Sequence, residues 1–310
     1  MRIIRVDLSG LHKTNKPICA CIGYFDGLHR GHQKLLAETV EMAKKYGCET
    51  GMITFEPDPW VVIKGMQKVK HITTMRQRIN MAVELGMDNI ILLEFTRDMS
   101  ELPPMEFIEK ALGCLNLKGL VCGFDFHFGY HGDGDPAFLK EHAPFEVKVI
   151  EPVNDETGKI SSTRISQCIV EGKVDEANEM LGYRFTMEGK VVHGKHRGTD
   201  MGFPTANLQY DAEYLMPKNG VYAALVEVDQ KYYQAMVNIG INPTFNDLDA
   251  ISIEAHLLQY YGDLYGKWIK ISFCKYLRRE MKFRSKDNLI MQLEQDLRNV
   301  RQYFGGLNDE

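Results

Sequence analysis

Apolar residues in the first 180 positions follow two rhythms that alternate along the chain. Short, nearly continuous apolar runs recur as PICACIGYF (17–25), TGMITF (50–55), NIILLEF (89–95), GLVCGFDF (119–126) and FEVKVIEPV (145–153). Between them the spacing turns helical: from His32 to Tyr46, over 74–86 through Met75, Ile79, Ala82 and Val83, and over PPMEFIEKALG (103–113). An apolar run without polar alternation predicts a strand buried on both faces, and such strands interleaved with helices predict a doubly wound parallel α/β sheet. After about Leu181 the rhythm changes. FTMEGKVVHG (185–194), GVYAALVEV (220–228), KYYQAMVNIG (231–240), ISIEAHLL (251–258) and GKWIKISFCKYL (266–277) alternate, and Gly, Pro and Asn punctuate them. That pattern predicts an antiparallel barrel or sandwich. A helix from Ser285 to about Phe304, with Ser285 as its N-cap, closes the chain. The change of rhythm places a division between two domains at 182–186.

At 310 residues the chain is long enough for two cores. A net charge of −5 offers no general field for nucleic acid or an anionic membrane, so any phosphate site must be built locally. Seven cysteines stand at irregular spacings without a CxxC pair. They read as reduced thiols rather than a structural zinc site, which points to a reducing compartment. The start, MRIIRVDLSG, has no long apolar core and reads as neither signal peptide nor anchor. The expectation is a cytoplasmic protein with small-molecule partners, neither nucleic acid nor membrane among them.

CIGYFDGLHRGHQKLL (21–36) runs from a strand through glycines and histidines into a helix. Gly23 and Gly27 let backbone approach a ligand closely. The amides at the helix start favour an anion. His29 and His32, three apart, share a face and offer donors to phosphate oxygens, where they stabilise charge on a phosphorus under attack. The stretch resembles the GxFDGxHxGH signature of nucleotidyltransferases, with Phe25, Asp26 and Gly31 completing it. ISSTRIS (160–166) resembles the ISSTxxR motif that closes the same site, which implies that Ser161, Ser162, Thr163 and Arg164 grip the departing pyrophosphate. TFEPDP (54–59) and GFDFHFG (123–129) resemble segments of the FMN adenylyltransferase branch, and imply that Asp125, Phe126 and Phe128 lie near a flavin. Asp58 stands where that branch usually has His or Asn, and Ser166 where its motif ends in Arg.

GKHRGTDMGFPTANL (194–208) carries the second signal. A Thr hydroxyl and an Asn carbonyl two residues on, Thr205 and Asn207, suit Mg²⁺ beside ATP phosphates. Gly194, Gly198 and Gly202, with Lys195, suit backbone folded around those phosphates. No GxxxxGK[ST] loop is present. SIEAHLL (252–258) puts Glu254 and His256 on one strand face. These segments resemble the riboflavin kinase signature, in which the Glu takes the riboflavin 5′-hydroxyl proton. VNIGINPTF (237–245) and LRREMKF (277–283) match the same family in order, and imply Asn242, Arg278 and Phe283 near the isoalloxazine ring. From about residue 17 to 304 the chain thus resembles the bifunctional riboflavin kinase/FAD synthetase family. The resemblance implies a Rossmann-like FMN adenylyltransferase domain at 1–183 and a barrel riboflavin kinase domain with a closing helix at 184–310. It implies ATP as co-substrate, Mg²⁺, and riboflavin and FMN as substrates. Asp58 and Ser166 leave a kinase-only reading open.

Overall fold

The computed structural model describes residues 1–9, 16–67, 69–193, 203–241 and 251–306. They divide into two compact units, Met1–Ser162 and Thr163–Glu310. The strands of the first are β1 (Arg2–Val6), β2 (Ile18–Ile22), β3 (Glu49–Glu56), β4 (Asn89–Glu94), β5 (Leu117–Gly123) and β6 (Glu146–Ile150). All six join in one parallel sheet, in the order β1-β4-β3-β2-β5-β6. The connecting helices are α1 (Arg30–Tyr46), α2 (Pro59–Lys64), α3 (Met75–Glu84), α4 (Arg97–Ser100), α5 (Pro104–Glu106) and α6 (Pro136–His142). A π-helical turn, Phe107–Leu112, continues α5. The apolar runs announce β2 to β6. β1 goes unannounced because arginines flank its apolar residues and it lies at a sheet edge, mostly exposed.

β2 shows why continuous apolar runs mark this sheet. All five of its residues are buried. Cys19 and Cys21 pack into a cluster with Leu36 and Met42 of α1 and Ala82 of α3. Ile18, Ala20 and Ile22 pack into the opposite cluster with Phe107, Ile108 and Leu139. Side chains alternate along a strand, so only a strand covered on both faces buries every position. Each fully buried Leu, Ile or Met contributes about 1.5–3 kcal/mol relative to exposure. β3 and β4 extend the sheet on one side of β2, β5 and β6 on the other. The chain reverses its winding at β2, and ligands of such sheets bind beyond the carboxyl ends of the strands at that point. Gly23 to His32 and Gly123 to Phe128 follow the two strands that meet there.

A short antiparallel hairpin, β7 (Asn154–Asp155) and β8 (Gly158–Lys159), leads to α7 (Ser162–Glu171) and α8 (Val174–Leu181). The second unit then forms a closed antiparallel barrel from β9 (Thr186–Val192), β10 (Ala206–Tyr210), β11 (Gly220–Val228), β12 (Lys231–Ile241), β13 (Ile251–Leu257) and β14 (Trp268–Arg278). The strand order is β10-β13-β12-β11-β14-β9, and β10 pairs with β9 to close it. The structure decides for a barrel over a sandwich. The side chain of Asn178 fastens α8 to it, with Nδ2 donating to the Phe273 carbonyl at 2.9 Å and Oδ1 accepting from the Phe185 amide at 2.7 Å. The expected division at 182–186 therefore falls inside the second unit, at the turn from α8 to β9. The closing helix is α9 (Lys286–Gly306), and the Asn288 amide donates to the Ser285 hydroxyl at 3.2 Å, the N-cap expected there. Val300 and Phe304 of α9 pack against Val221, Ala223 and Met236 of the barrel.

Candidate active sites

In the parallel-sheet unit, the loop after β2 is held in an uncommon shape. Phe25, Gly27 and Leu28 all have left-handed backbone, with φ of 57, 77 and 36°. For Phe25 and Leu28 this is unfavourable by roughly 1–2 kcal/mol each, offset because both side chains are fully buried in the cluster under α1. Asp26 is buried below the loop. Its carboxylate accepts from the Ile72 and Thr73 amides at 3.2 and 3.1 Å, and pairs with Arg78 at 3.1 Å. The Gly27 amide donates to Thr73 Oγ1 at 2.9 Å. Phe25 and Asp26 therefore act beneath the loop, by fixing its path, and their side chains present nothing to a phosphate. Thr73 and Arg78 are the partners that motif reading missed; an arginine between Met75, Ile79 and Ala82, on the apolar side of the helix predicted over 74–86, was the available signal.

His29 is the N-cap of α1. Its Nδ1 accepts from the amides of Gly31 and His32 at 3.2 and 3.4 Å. The ring lies so close over Gly31 that a Cβ there would meet it at 3.0 Å, which explains the glycine. With Nδ1 occupied as an acceptor, the proton of the neutral ring sits on Nε2. Burial first, and the charge of Lys159 second, push the His29 pKa down to about 4. His32 stacks on His29 with centroids 3.7 Å apart and packs edge-on to Phe25 at 5.2 Å. Burial first, and His29 second, hold its pKa well below the ordinary value. The Nδ1 of His32 is buried without a hydrogen-bond partner among the described residues. Both imidazoles are thus neutral donors beside a helix N-terminus at pH 7.

The ISSTRIS motif starts α7. The Ser162 hydroxyl donates to the Asp26 carbonyl at 2.8 Å, tying the motif to the loop. Ser161 precedes the helix; Thr163, Arg164 and Ser166 lie within it. After β5, Asp125 pairs with Lys159, whose ammonium lies 4.6 Å from the Phe124 ring centroid. Phe128 is buried against Phe126, Phe107 and Phe138. It also lines a cavity of about 610 Å³ whose walls include Phe55, Trp60, Phe95, His127 and Tyr130. Asp125 and Phe126 are not among its lining residues. Trp60, Phe95 and Tyr130 were missed; Trp60 and Tyr130 directly follow segments that the motifs marked, and Phe95 ends an apolar run. Asp58 caps α2 by accepting from the Trp60 amide at 2.6 Å, accepts from the Tyr24 hydroxyl, and lies 3.7 Å from His71 Nε2.

In the barrel unit, the antiparallel register assembles the second site. Asn207 on β10 and Asn238 on β12 both pair directly with Glu254 on β13. Paired residues share a face, so Glu254 stands between two amides. Met236 and His256 form the adjoining pair on that face, and Met236 packs in the cluster with α9. A cavity of about 390 Å³ lies there. Thr205, Glu254, Arg278 and Phe283 line it, as do Leu289 and Leu293 of α9. The Arg278 guanidinium is already committed: Nε and Nη2 bind the fully buried Asp296, the latter at 2.7 Å, and Nη1 donates to the Arg279 carbonyl at 2.9 Å. Its hydrogen bonds lock α9 to β14, while its carbon faces the Phe283 ring at 6.0 Å. Asp296 was missed, although an acidic residue between Leu293 and Leu297 on an apolar helix face signals a buried partner. Asn238 was missed too. Gly194, Lys195, Gly198, Gly202 and Asn242 lie outside the described residues.

Residues 11–164 match the FAD synthetase family and residues 181–304 the riboflavin kinase family. A bifunctional riboflavin kinase/FMN adenylyltransferase of Listeria monocytogenes is 38% identical over 291 residues, 93% of each chain. The chain belongs to this bifunctional family. Its members of the same description include one from Bacillus subtilis, 34% identical over 92% of each chain, and one from Escherichia coli K12, 32% identical over 98% of each. A solved Streptococcus pneumoniae chain described as a macrolide-efflux protein shares the fold with a TM-score of 0.88, at 32% identity over 96% of this chain and 99% of its own. Among the described residues no helix is long and apolar enough to cross a membrane. The riboflavin kinase match lies wholly within the barrel unit, and the FAD synthetase match ends in the first turn of α7.

Proposed function

We propose that the chain phosphorylates riboflavin to FMN at the barrel cavity and converts FMN to FAD at the parallel-sheet site. The observation that carries the first step is the Glu254 carboxylate held opposite Asn207 with Thr205 on the same cavity wall. Riboflavin enters with its ring against Phe283, Leu289 and Leu293. Glu254 takes the 5′-hydroxyl proton as that oxygen attacks the γ-phosphorus of ATP, and ADP leaves. Thr205 and Asn207 supply neutral oxygen donors toward Mg²⁺. The fit is good, because Mg²⁺ keeps most of its waters and takes few protein ligands. The described residues hold no cluster of three His, Cys, Asp or Glu side chains that would make a full protein cage. When bound, the ion neutralises charge on the ATP phosphates.

At the parallel-sheet site, FMN phosphate is already a nucleophile and needs no covalent intermediate. Its oxygen attacks the α-phosphorus of ATP, and pyrophosphate leaves. His29 Nε2–H and the amides of α1 donate to the oxygens where charge grows. Neutral rings suit this role, since they stay donors without adding charge that ground-state ATP would also feel. Ser161, Ser162, Thr163 and Arg164 hold the leaving group. The 610 Å³ aromatic cavity takes the flavin. The functional division is placed at 183/184, the substrates are small molecules, and the setting is the cytoplasm; none of the seven cysteines forms a disulfide. Chromatography of the purified chain with riboflavin, ATP and Mg²⁺ tests the reading. FMN should form first, then FAD, with ADP and pyrophosphate. FMN as the sole flavin product would reduce the function to the kinase.

A further inference from the structure

β10 and β13 pair at Ala206↔Ala255 and Asn207↔Glu254, and the ladder ends there. The next pair in register would be Thr205 with His256. Pro204, just before Thr205, has no N–H and cannot extend the ladder. The His256 side chain takes over at this point. Its Nδ1 lies 2.8 Å from the Pro204 carbonyl oxygen, so Nδ1–H donates. The imidazole also packs against Phe203, with centroids 5.6 Å apart. Thr205 and His256 both line the cavity that holds Glu254. The carbonyl that His256 holds belongs to the peptide joining Pro204 to Thr205, so the contact fixes the plane from which the Thr205 side chain leaves.

We infer that His256 is a positioning residue for the kinase reaction: it ties down the Pro204 carbonyl where the ladder stops and so holds the Thr205 hydroxyl in line with Asn207. The inference rests on the reading of Thr205 and Asn207 as oxygen donors toward Mg²⁺ and the nucleotide. Its consequence is specific. Loss of the imidazole donor should weaken the response of this wall to Mg²⁺–ADP and leave the fold of the barrel intact. Partners that orient a ligand typically change metal affinity by roughly 10–100-fold when removed. Asn places an amide N–H near the position of imidazole Nδ1–H, so His256→Asn should keep most of the effect. Phe fills the ring's volume and keeps the packing on Phe203 without any donor.

The test is amide hydrogen exchange by mass spectrometry on the full chain, titrated with Mg²⁺–ADP and read on the peptide covering 203–210. Wild type should gain protection there on binding. In His256→Ala and His256→Phe, half-protection should need roughly 10–100-fold more Mg²⁺–ADP, and His256→Asn should lie close to wild type. Should the alanine variant not fold, the phenylalanine variant carries the comparison. Thr205→Val separates the inference from the reading beneath it. If Thr205→Val leaves the titration unchanged, Thr205 is no ligand, and both reading and inference fall. If Thr205→Val shifts the titration while His256→Phe does not, the reading stands and the inference is overturned. If both shift it, the double variant decides. A positioning role predicts no further shift from His256→Phe in the Thr205→Val background, and full additivity would overturn it.

Discussion

The two units handle phosphate by contrasting means. The parallel-sheet site presents uncharged imidazoles and backbone amides at a helix start, on a loop of left-handed backbone. The barrel site presents oxygen donors and a carboxylate on the rigid register of three paired strands. Behind each lies a buried ion pair, Asp26–Arg78 in one and Arg278–Asp296 in the other. Asp26 and Arg78 are buried beneath the loop, whereas Arg278 reaches the cavity wall and its guanidinium is held there by the fully buried Asp296. A buried pair suits fixing geometry, because removing one partner leaves an uncompensated charge and is strongly destabilising. Buried neutral histidines also couple the first unit's stability to mild acid.

The contrast is broken most severely at the kinase base. Glu254→Gln removes the proton acceptor and keeps the shape, so FMN formation should fall by roughly 10²–10⁴-fold. FAD formation from supplied FMN should be unaffected; loss of both activities would make Glu254 structural. Asp296→Leu comes next. It strands Arg278 without a partner, and the barrel should lose about 3–5 kcal/mol of stability in urea. Trp268 fluorescence in a Trp60→Phe background reads the barrel alone, since the chain has two tryptophans. The paired change Arg278→Met with Asp296→Leu should recover most of that loss, and no recovery would deny the pair its role.

His29→Asn sharpens the comparison on the other side. Asparagine still caps α1 by accepting from the first-turn amides, but it lacks the Nε2 donor. FAD formation should fall by about 10²-fold, mostly in kcat. A change confined to KM would mean that His29 binds ATP and does not stabilise the transition state. The last prediction concerns pH. His29 has its folded pKa depressed from 6.5 to about 4, and His32 is depressed as well. The unfolded chain therefore binds protons between pH 6.5 and 4 that the folded unit refuses. Stability should be level above pH 6.5 and fall as pH drops through that window, by up to about 1.4 kcal/mol per pH unit for each imidazole. Urea midpoints followed through Trp60, in a Trp268→Phe background, should show that slope, and His29→Asn should shrink it. A flat profile would show that the imidazoles are not held neutral.

Strands buried on both faces, such as β2, were written plainly in the sequence, since every position had to be apolar. β10 was not: ANLQY is short, follows a proline, and pairs only because β9 and β13 flank it. α7 and α8 escaped because the motif at their start drew attention to chemistry rather than to periodicity. Among the expected site residues, the structure gives several side chains partners that the motifs did not announce. Phe25 and Asp26 belong to a phosphate motif, yet their side chains face the protein. Arg278 was expected at the flavin and is largely occupied by Asp296, eighteen residues away in sequence. Such pairings are set by tertiary packing, which local spacing does not encode. Glu254 drew its expected role from the resemblance; alternation by itself says only that it shares a strand face with His256.

The central claim is that two independent chemistries sit on two units and meet through FMN. Complementation tests it in one measurement. Glu254→Gln protein and His29→Asn protein are each given riboflavin, ATP and Mg²⁺, singly and mixed, and FAD is measured by chromatography. Alone, the first should make almost no flavin nucleotide and the second should stop at FMN. Mixed, they should make FAD, because FMN released by one is adenylylated by the other. A mixture that still stops at FMN would contradict the account.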